Sequence, residues 1–131
     1  MNHGIADDVG KLILRLTLAV LVLFHGVAKI TSGIGPIEGM VTGAGLPSFV
    51  AYGVYLGEIL GPILVLVGFY ARIGALLIVA NMLFALVLAH RDDLMALSPH
   101  GGWALELQGF FLLTALAVVF LGPGRASMNN R

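Results

Sequence analysis

Residues 9–29 read VGKLILRLTLAVLVLFHGVAK, an apolar run of membrane-helix length that nonetheless carries Lys11, Arg15, His25 and Lys29. A membrane helix needs roughly 20 apolar residues to cross about 30 Å of hydrocarbon. Ionisable groups at that depth mark either a functional site or an anchor whose charged end snorkels to the headgroups. At about 100° per residue these side chains project within roughly 80° of one another, so the helix has one polar stripe. Only Leu16 to Phe24 lie between Arg15 and His25, about 13 Å of helical rise, so at least one of the two sits within the hydrocarbon. Both roles stay open for Arg15 and Lys29: snorkelling to cytoplasmic and outer headgroups respectively, or service in a site.

The rest of the chain has the same character. It is 59% hydrophobic and 11% charged, with a mean hydropathy of +1.00 over 131 residues, too apolar for a soluble domain of that size. The expectation is one all-α integral membrane domain, residues 1–131, folded as a four-helix transmembrane bundle with spans Val9–Ala28, Phe49–Val67, Ile73–Ala89 and Trp103–Leu121. The breaks carry suitable punctuation: Gly68 then Arg72, Arg91-Asp92-Asp93, and Gly122-Pro123-Gly124-Arg125. Four spans put both termini on one side together with Lys11, Arg15, Arg72, Arg125 and Arg131, against Lys29 and Arg91 opposite. The positive-inside rule then makes both termini cytoplasmic. Asp7, Asp8 and Arg15 spoil a cleavable signal peptide, so the first segment is expected to stay. Seven basic residues balance seven acidic ones, which leaves no basic face for nucleic acid. With zero cysteines there is no disulfide, thiolate metal site or CxxC chemistry.

Two loop features add detail. Pro36-Ile37-Glu38-Gly39-Met40-Val41 pairs a Pro suited to a first helical turn with apolar residues at i, i+3 and i+4, which predicts a short interfacial helix in the first outer loop. Ser98 is expected to cap, and Pro99 to start, the fourth helix, placing Trp103 at interface depth.

Glu58 is the sharpest signal, because a carboxylate near the middle of an apolar span is expensive unless protonated, paired or wetted. Arg15 could reach it from the cytoplasmic side and His25 from the outer side. The result is either a structural ion pair that fixes helix register or a proton-handling group in a cavity. Pro62, four residues on, removes the backbone hydrogen bond to the Glu58 carbonyl, and a kink there could open such a cavity. Gly53, Gly57 and Gly61 strip one helix face for close packing, within the bundle or at a dimer contact. Asn81 reads as an interhelical hydrogen bond and Glu106 as a charge at a helix N-terminus. His25, His90 and His100 could cluster on the outer side, but the chain has no HxxxH, ExxH or Cys, so neither metal nor haem ligation is expected.

Leu14-Arg15-Leu16, Phe24-His25-Gly26-Val27-Ala28-Lys29-Ile30, Gly57-Glu58 and Gly68 with Arg72 together resemble the DoxX family of small four-helix membrane proteins. The His-Gly-x-x-Lys element after an Arg-bearing first helix is the most specific part. Relatives in that family include the membrane subunit of a thiosulfate:quinone oxidoreductase and members of respiratory or oxidative-stress complexes. The resemblance implies a multi-pass protein of the prokaryotic cytoplasmic (inner) membrane that holds quinone or docks a redox partner protein, with Arg15, His25, Lys29, Glu58 and Arg72 at the matching positions. On that reading His25 with Arg15 or Lys29 bonds the quinone carbonyls, and Glu58 handles a proton. The alternative is a non-catalytic anchoring subunit whose Gly face docks a larger complex. A transporter fits less well, because one small bundle without an inverted repeat has little room for alternating access unless it forms a homo-oligomer.

Overall fold

The computed structural model describes residues 4–89, 95–99 and 101–131. Helix α1, Ile5–Ser32, is 28 residues long, about 42 Å at the usual rise per residue. Asp7 and Asp8 in its first turn and Lys29 in its last suit the helix dipole. Its buried residues are Arg15, Leu18, Ala19, Val22 and Gly26, spaced at helical period on the face that also carries the polar stripe. The ionisable groups of α1 therefore point toward the other helices.

Helix α2, Gly35–Gly43, starts with Pro36 in its first turn and fulfils the expectation of a short helix in the first loop. It does not lie apart from the bundle. Ile34 and Val41 are buried against Ala51, with Val50, Val54, Tyr55 and Leu88 packed around them.

The second apolar stretch runs Ser48–Val67, close to the expected span, but its winding changes twice. A 3-10 segment, Ser48–Gly53, passes through helical Val54 and Tyr55 into a π turn, Leu56–Leu60, and then into helix α3, Gly61–Val67. Pro62 explains the middle change. It has no N–H to give to the Glu58 carbonyl, and Gly61 N–H bonds back to the Leu56 carbonyl in the wider π register. The freed Glu58 carbonyl faces α1 at Gly26, where any side chain would run into that oxygen and into Ile59.

Helix α3 ends at Gly68, whose φ of 71° is left-handed, with Phe69 N–H bonding the Leu64 carbonyl in a Schellman closure. Helix α4, Ala71–Ala89, and helix α5, Glu106–Leu121, follow. Helix α5 begins at Glu106, three residues after the expected span start at Trp103 and seven after Pro99, which corrects the assignment of Ser98 and Pro99 to its start. Residues 97–99 and 101–103 instead pair with one another, with a bridge between Leu97 and Trp103, Ser98 N–H bonded to the Gly102 carbonyl, and Gly101 at φ 91°. The shared core joins Leu18 and Val22 of α1, Val65 of α3, Ile78 of α4 and Phe111 and Ala115 of α5.

Among the described residues three helical stretches are long and apolar enough to cross a membrane: Ile5–Ser32, Ser48–Val67 and Ala71–Leu88. Helix α5 is a shorter apolar helix of 16 residues. The outward faces are apolar as well, with Phe24 and Phe110 at 68% and Phe120 at 77% exposure, which in this setting are lipid-facing surfaces.

Small residues bring the helices together. A Cβ at Gly61 would stand 2.8 Å from the Gly74 carbonyl oxygen, and one at Gly57 would strike Asn81 of α4 and approach the Leu77 carbonyl. Gly57 and Gly61 are thus a seam inside the chain, whereas Gly53 has open space beside it. Replacing Gly57 with Leu is expected to lower unfolding stability in detergent by about 1–3 kcal/mol or to block folding. Gly10→Leu, where nothing lies within 4 Å, should leave the unfolding transition in place.

Candidate functional site

Five candidate residues come from the sequence, and the fold divides them between two ends of the bundle. Arg15 is 1% exposed, and its guanidinium is enclosed by main-chain oxygens. Nε donates to the Val65 carbonyl at 3.0 Å, Nη2 to Leu66 at 3.1 Å, and Nη1 to both Pro123 and Ala126 at 2.8 Å. Val65 and Leu66 belong to the last turn of α3, so the cation also sits at the negative end of a helix dipole. The expected reach of Arg15 to Glu58 does not occur: its donors are taken by these carbonyls. It does not snorkel either, since its charge is buried in protein. Arg72, in the first turn of α4, lies at this same end, beside the C-terminal tail.

At the other end Glu58 is 4% exposed and meets two donors, one at each oxygen. Lys29 Nζ lies 2.6 Å from Oε1, and Asn81 Nδ2 donates to Oε2 at 2.9 Å. The partner is Lys29, in place of the Arg15 or His25 expected from the sequence. Lys29 turns inward because the polar stripe of α1 faces the bundle, and Tyr55 Oη secures its turn by donating to the Lys29 carbonyl at 3.2 Å. His25, one turn earlier on α1, packs T-shaped on Phe111 at 5.5 Å between ring centroids. Among the described residues no buried side-chain nitrogen or oxygen lacks a hydrogen-bond partner.

These groups border a cavity of about 420 Å3. Its walls are mostly apolar, drawn from Ile37 and Met40 of α2, Val54 and Leu56 of the second stretch, Phe84 and Leu88 of α4 and Phe111 of α5. Its polar lining is His25, Lys29, Glu58, Asn81 and Gln108. The change of winding before Pro62 places Glu58 and Gly57 on this wall, and Gly53 leaves room beside them. Asn81 was legible as an interhelical hydrogen bond, but Gln108 and Tyr55 were not singled out. Gln108 has a signal in the sequence as the amide three positions before Phe111, on a helix whose other polar residues are Glu106 and Thr114. His90 and His100 lie outside the described residues; among those described, no three His, Asp or Glu side chains converge as metal ligands would.

The profile of the DoxX family matches residues 10–91, which include all five candidate positions. The chain belongs to the DoxX family. A protein of Bacillus subtilis (strain 168) named "Putative oxidoreductase CatD" is 31% identical over 115 residues, covering 88% of this chain and 81% of that protein. An uncharacterized protein of Haemophilus influenzae (strain ATCC 51907 / DSM 11121 / KW20 / Rd) is 29% identical over 121 residues, covering 90% and 87%. No solved structure matches significantly. Within this DoxX chain the matched positions form one ion pair facing a cavity, a buried carboxylate with a half-buried ammonium, one cation sealed in backbone and one exposed cation, Arg72, beside the tail.

Removing Lys29 leaves the buried Glu58 carboxylate uncompensated. Lys29→Met is expected to destabilise the protein in detergent by about 3–5 kcal/mol, and adding Glu58→Leu should recover part of that loss. A double-mutant cycle on the unfolding free energies measures the coupling, and additive effects would contradict the pairing.

Proposed function

We propose that this DoxX-family chain is a quinone-associated membrane subunit of a respiratory or oxidative-stress redox system, multi-pass in the prokaryotic cytoplasmic membrane with both termini in the cytoplasm. The observation that carries the reading is the cavity of about 420 Å3, apolar along most of its wall with polar groups of α1, α4, α5 and the π turn among them. That is the kind of lining a small apolar molecule with two polar edges calls for. The name of the Bacillus subtilis relative, an oxidoreductase, agrees with it. The orientation is supported by the gathering of Lys11, Arg15, Arg72 and Arg125 around the tail, at the end away from the Glu58 pair.

The residues present fit a quinone head. His25 and the Gln108 amide are donors for ring oxygens, and Lys29 presents a third while remaining paired with Glu58. Phe111 and Phe84 offer aromatic surface for the ring, and Met40 and Leu88 apolar surface for a tail. Arg15 and Arg72 are left out of this role, the first because its donors are taken and the second because it lies at the tail end. A bound quinone would supply the acceptor chemistry for electrons and protons. The chain holds and orients it, and Glu58, with Lys29 on one oxygen and Asn81 on the other, keeps a carboxylate at the cavity wall able to hold or release a proton. Electrons come from a partner in a larger membrane complex, since a chain with no cysteine has no thiol relay of its own. The anchoring alternative relied on a free glycine face, and Gly57 and Gly61 already face α4.

Purification in mild detergent followed by mass spectrometry of bound lipids and proteins tests the reading. Quinone is expected near one per chain, with retention falling about tenfold in His25→Leu and in Gln108→Leu, the loss of roughly one good hydrogen bond each. Glu58→Gln should keep bound quinone but slow quinone-linked electron transfer. A preparation that carries a stable partner and no quinone would overturn the proposal.

A further inference from the structure

At the far end from the cavity, the segment after α5 turns back under the bundle and builds a second depression. Gly122 and Gly124 have φ of 76° and 78°, so the chain doubles back on itself there. Arg15 then fixes it through the carbonyls of Pro123 and Ala126, and Ser127 Oγ closes the turn by donating to the Gly124 carbonyl at 2.7 Å. Farther on, Met128 N–H bonds the Val67 carbonyl and Asn129 N–H bonds Gly68. The floor of the depression is therefore well tied down.

Two cations from different helices lie on those glycines. A Cβ at Gly122 would stand 2.6 Å from Arg72 Nη2 and 3.0 Å from Nε, and one at Gly124 would stand 3.2 Å from Lys11 Cβ. The glycines leave room for the guanidinium of α4 and the stem of the α1 lysine to pack against the main chain. Arg125 joins them, with Asp8 as the carboxylate of the same groove, in a space of about 430 Å3 edged by Leu121 and Pro123. Asp8 is engaged by Arg125, at 3.5 Å from Nε and by the Arg125 N–H at 3.2 Å; Lys11 pairs with Asp7 at 2.8 Å. No carboxylate pairs with Arg72 among the described residues. Lys11 and Arg125 are thus each paired with a carboxylate, and the Arg72 guanidinium is the cation of the groove that has none, its main-chain N–H donating to the Arg131 carbonyl oxygen at 3.2 Å.

We propose that this groove binds a phosphoryl group, supplied by the headgroup of an anionic phospholipid, with Arg72 as the principal ligand and Lys11 and Arg125 beside it. A guanidinium offers paired N–H donors that match phosphate oxygens, and the ammonium of Lys11 adds a compact charge. The location suits a lipid. The groove lies where α1 and α4 begin and α5 ends, so its cations stand at one edge of the apolar faces, and Leu121 and Pro123 give it an apolar rim. Basic pockets between membrane helices recognise headgroups in this way.

The full-length protein in nanodiscs of phosphatidylcholine, doped with increasing phosphatidylglycerol, provides the test, read by native mass spectrometry of the lipids retained after release. Phosphatidylglycerol should be retained in preference to phosphatidylcholine, and the preference should fall about fivefold for each cation removed in Arg72→Gln and Lys11→Gln. Arg72→Lys should retain more of it than Arg72→Gln. Both side chains lie outside the core, so thermal unfolding is expected to stay near that of the unaltered chain and separates binding from folding. A parallel titration with inorganic phosphate in pure phosphatidylcholine discs identifies the source. Protection by phosphate that is lost in Arg72→Gln would assign the site to soluble phosphate, with the phosphoryl chemistry upheld and the lipid source rejected. Equal retention of the two lipids together with no response to phosphate, or an Arg72→Gln variant that binds as the unaltered chain does, would overturn the proposal.

Discussion

The rest of the fold hangs on the guanidinium of Arg15. A charged group buried in a membrane bundle has no bulk water to satisfy its N–H donors, so protein oxygens must do it. Here four main-chain carbonyls do so: two from the last turn of α3 and two from the segment after α5. One side chain therefore joins the first helix, the second apolar stretch and the tail. It also explains Gly68, where a Cβ would stand 2.7 Å from Arg15 Nη2 and still closer to Ser127. The cation needs α3 to stop there, and the left-handed glycine lets it stop.

The opposite end of the bundle is shaped by an irregular backbone. Pro62 forbids an ordinary hydrogen bond to the Glu58 carbonyl, the chain widens into a π turn, and that carbonyl lies against Gly26. The same residue thus presents its main chain to α1 and its carboxylate to Lys29 and Asn81. Irregular helix at membrane depth is tolerated where protein or a cavity covers it, and π turns of this kind occur at functional positions. Gly57 on the same turn lets α4 come close enough for Asn81 to complete the site.

Much of this is legible in the sequence because the solvent is lipid. Hydropathy windows located three long helices to within a few residues at most ends, and the short α2 announced itself through Pro36 and its apolar spacing. The phase of the polar stripe on α1 was also readable, and that stripe is the buried face. Partner choice was not. Whether Glu58 meets Arg15, His25 or Lys29 depends on how far one helix slides along another, and periodicity carries no axial offset. The partners of Arg15 are carbonyls, which every residue possesses, so no side-chain pattern could reveal them. The start of α5 was misjudged because Ser98-Pro99 suits a tight turn as well as a helix cap, and the bridge between Leu97 and Trp103 decides for the turn.

Arg15 and two of its oxygens are separated along the chain by 108 and 111 residues, so this contact couples the two most distant parts of the described fold. Helix α1 holds a cation two of whose acceptors lie beyond α5. Without residues 123–126 in place, that guanidinium keeps only the two carbonyls of α3, and the donors of Nη1 have no protein oxygen to meet. The segment after α5 is therefore a structural part of the first helix's environment, although it belongs to no helix itself.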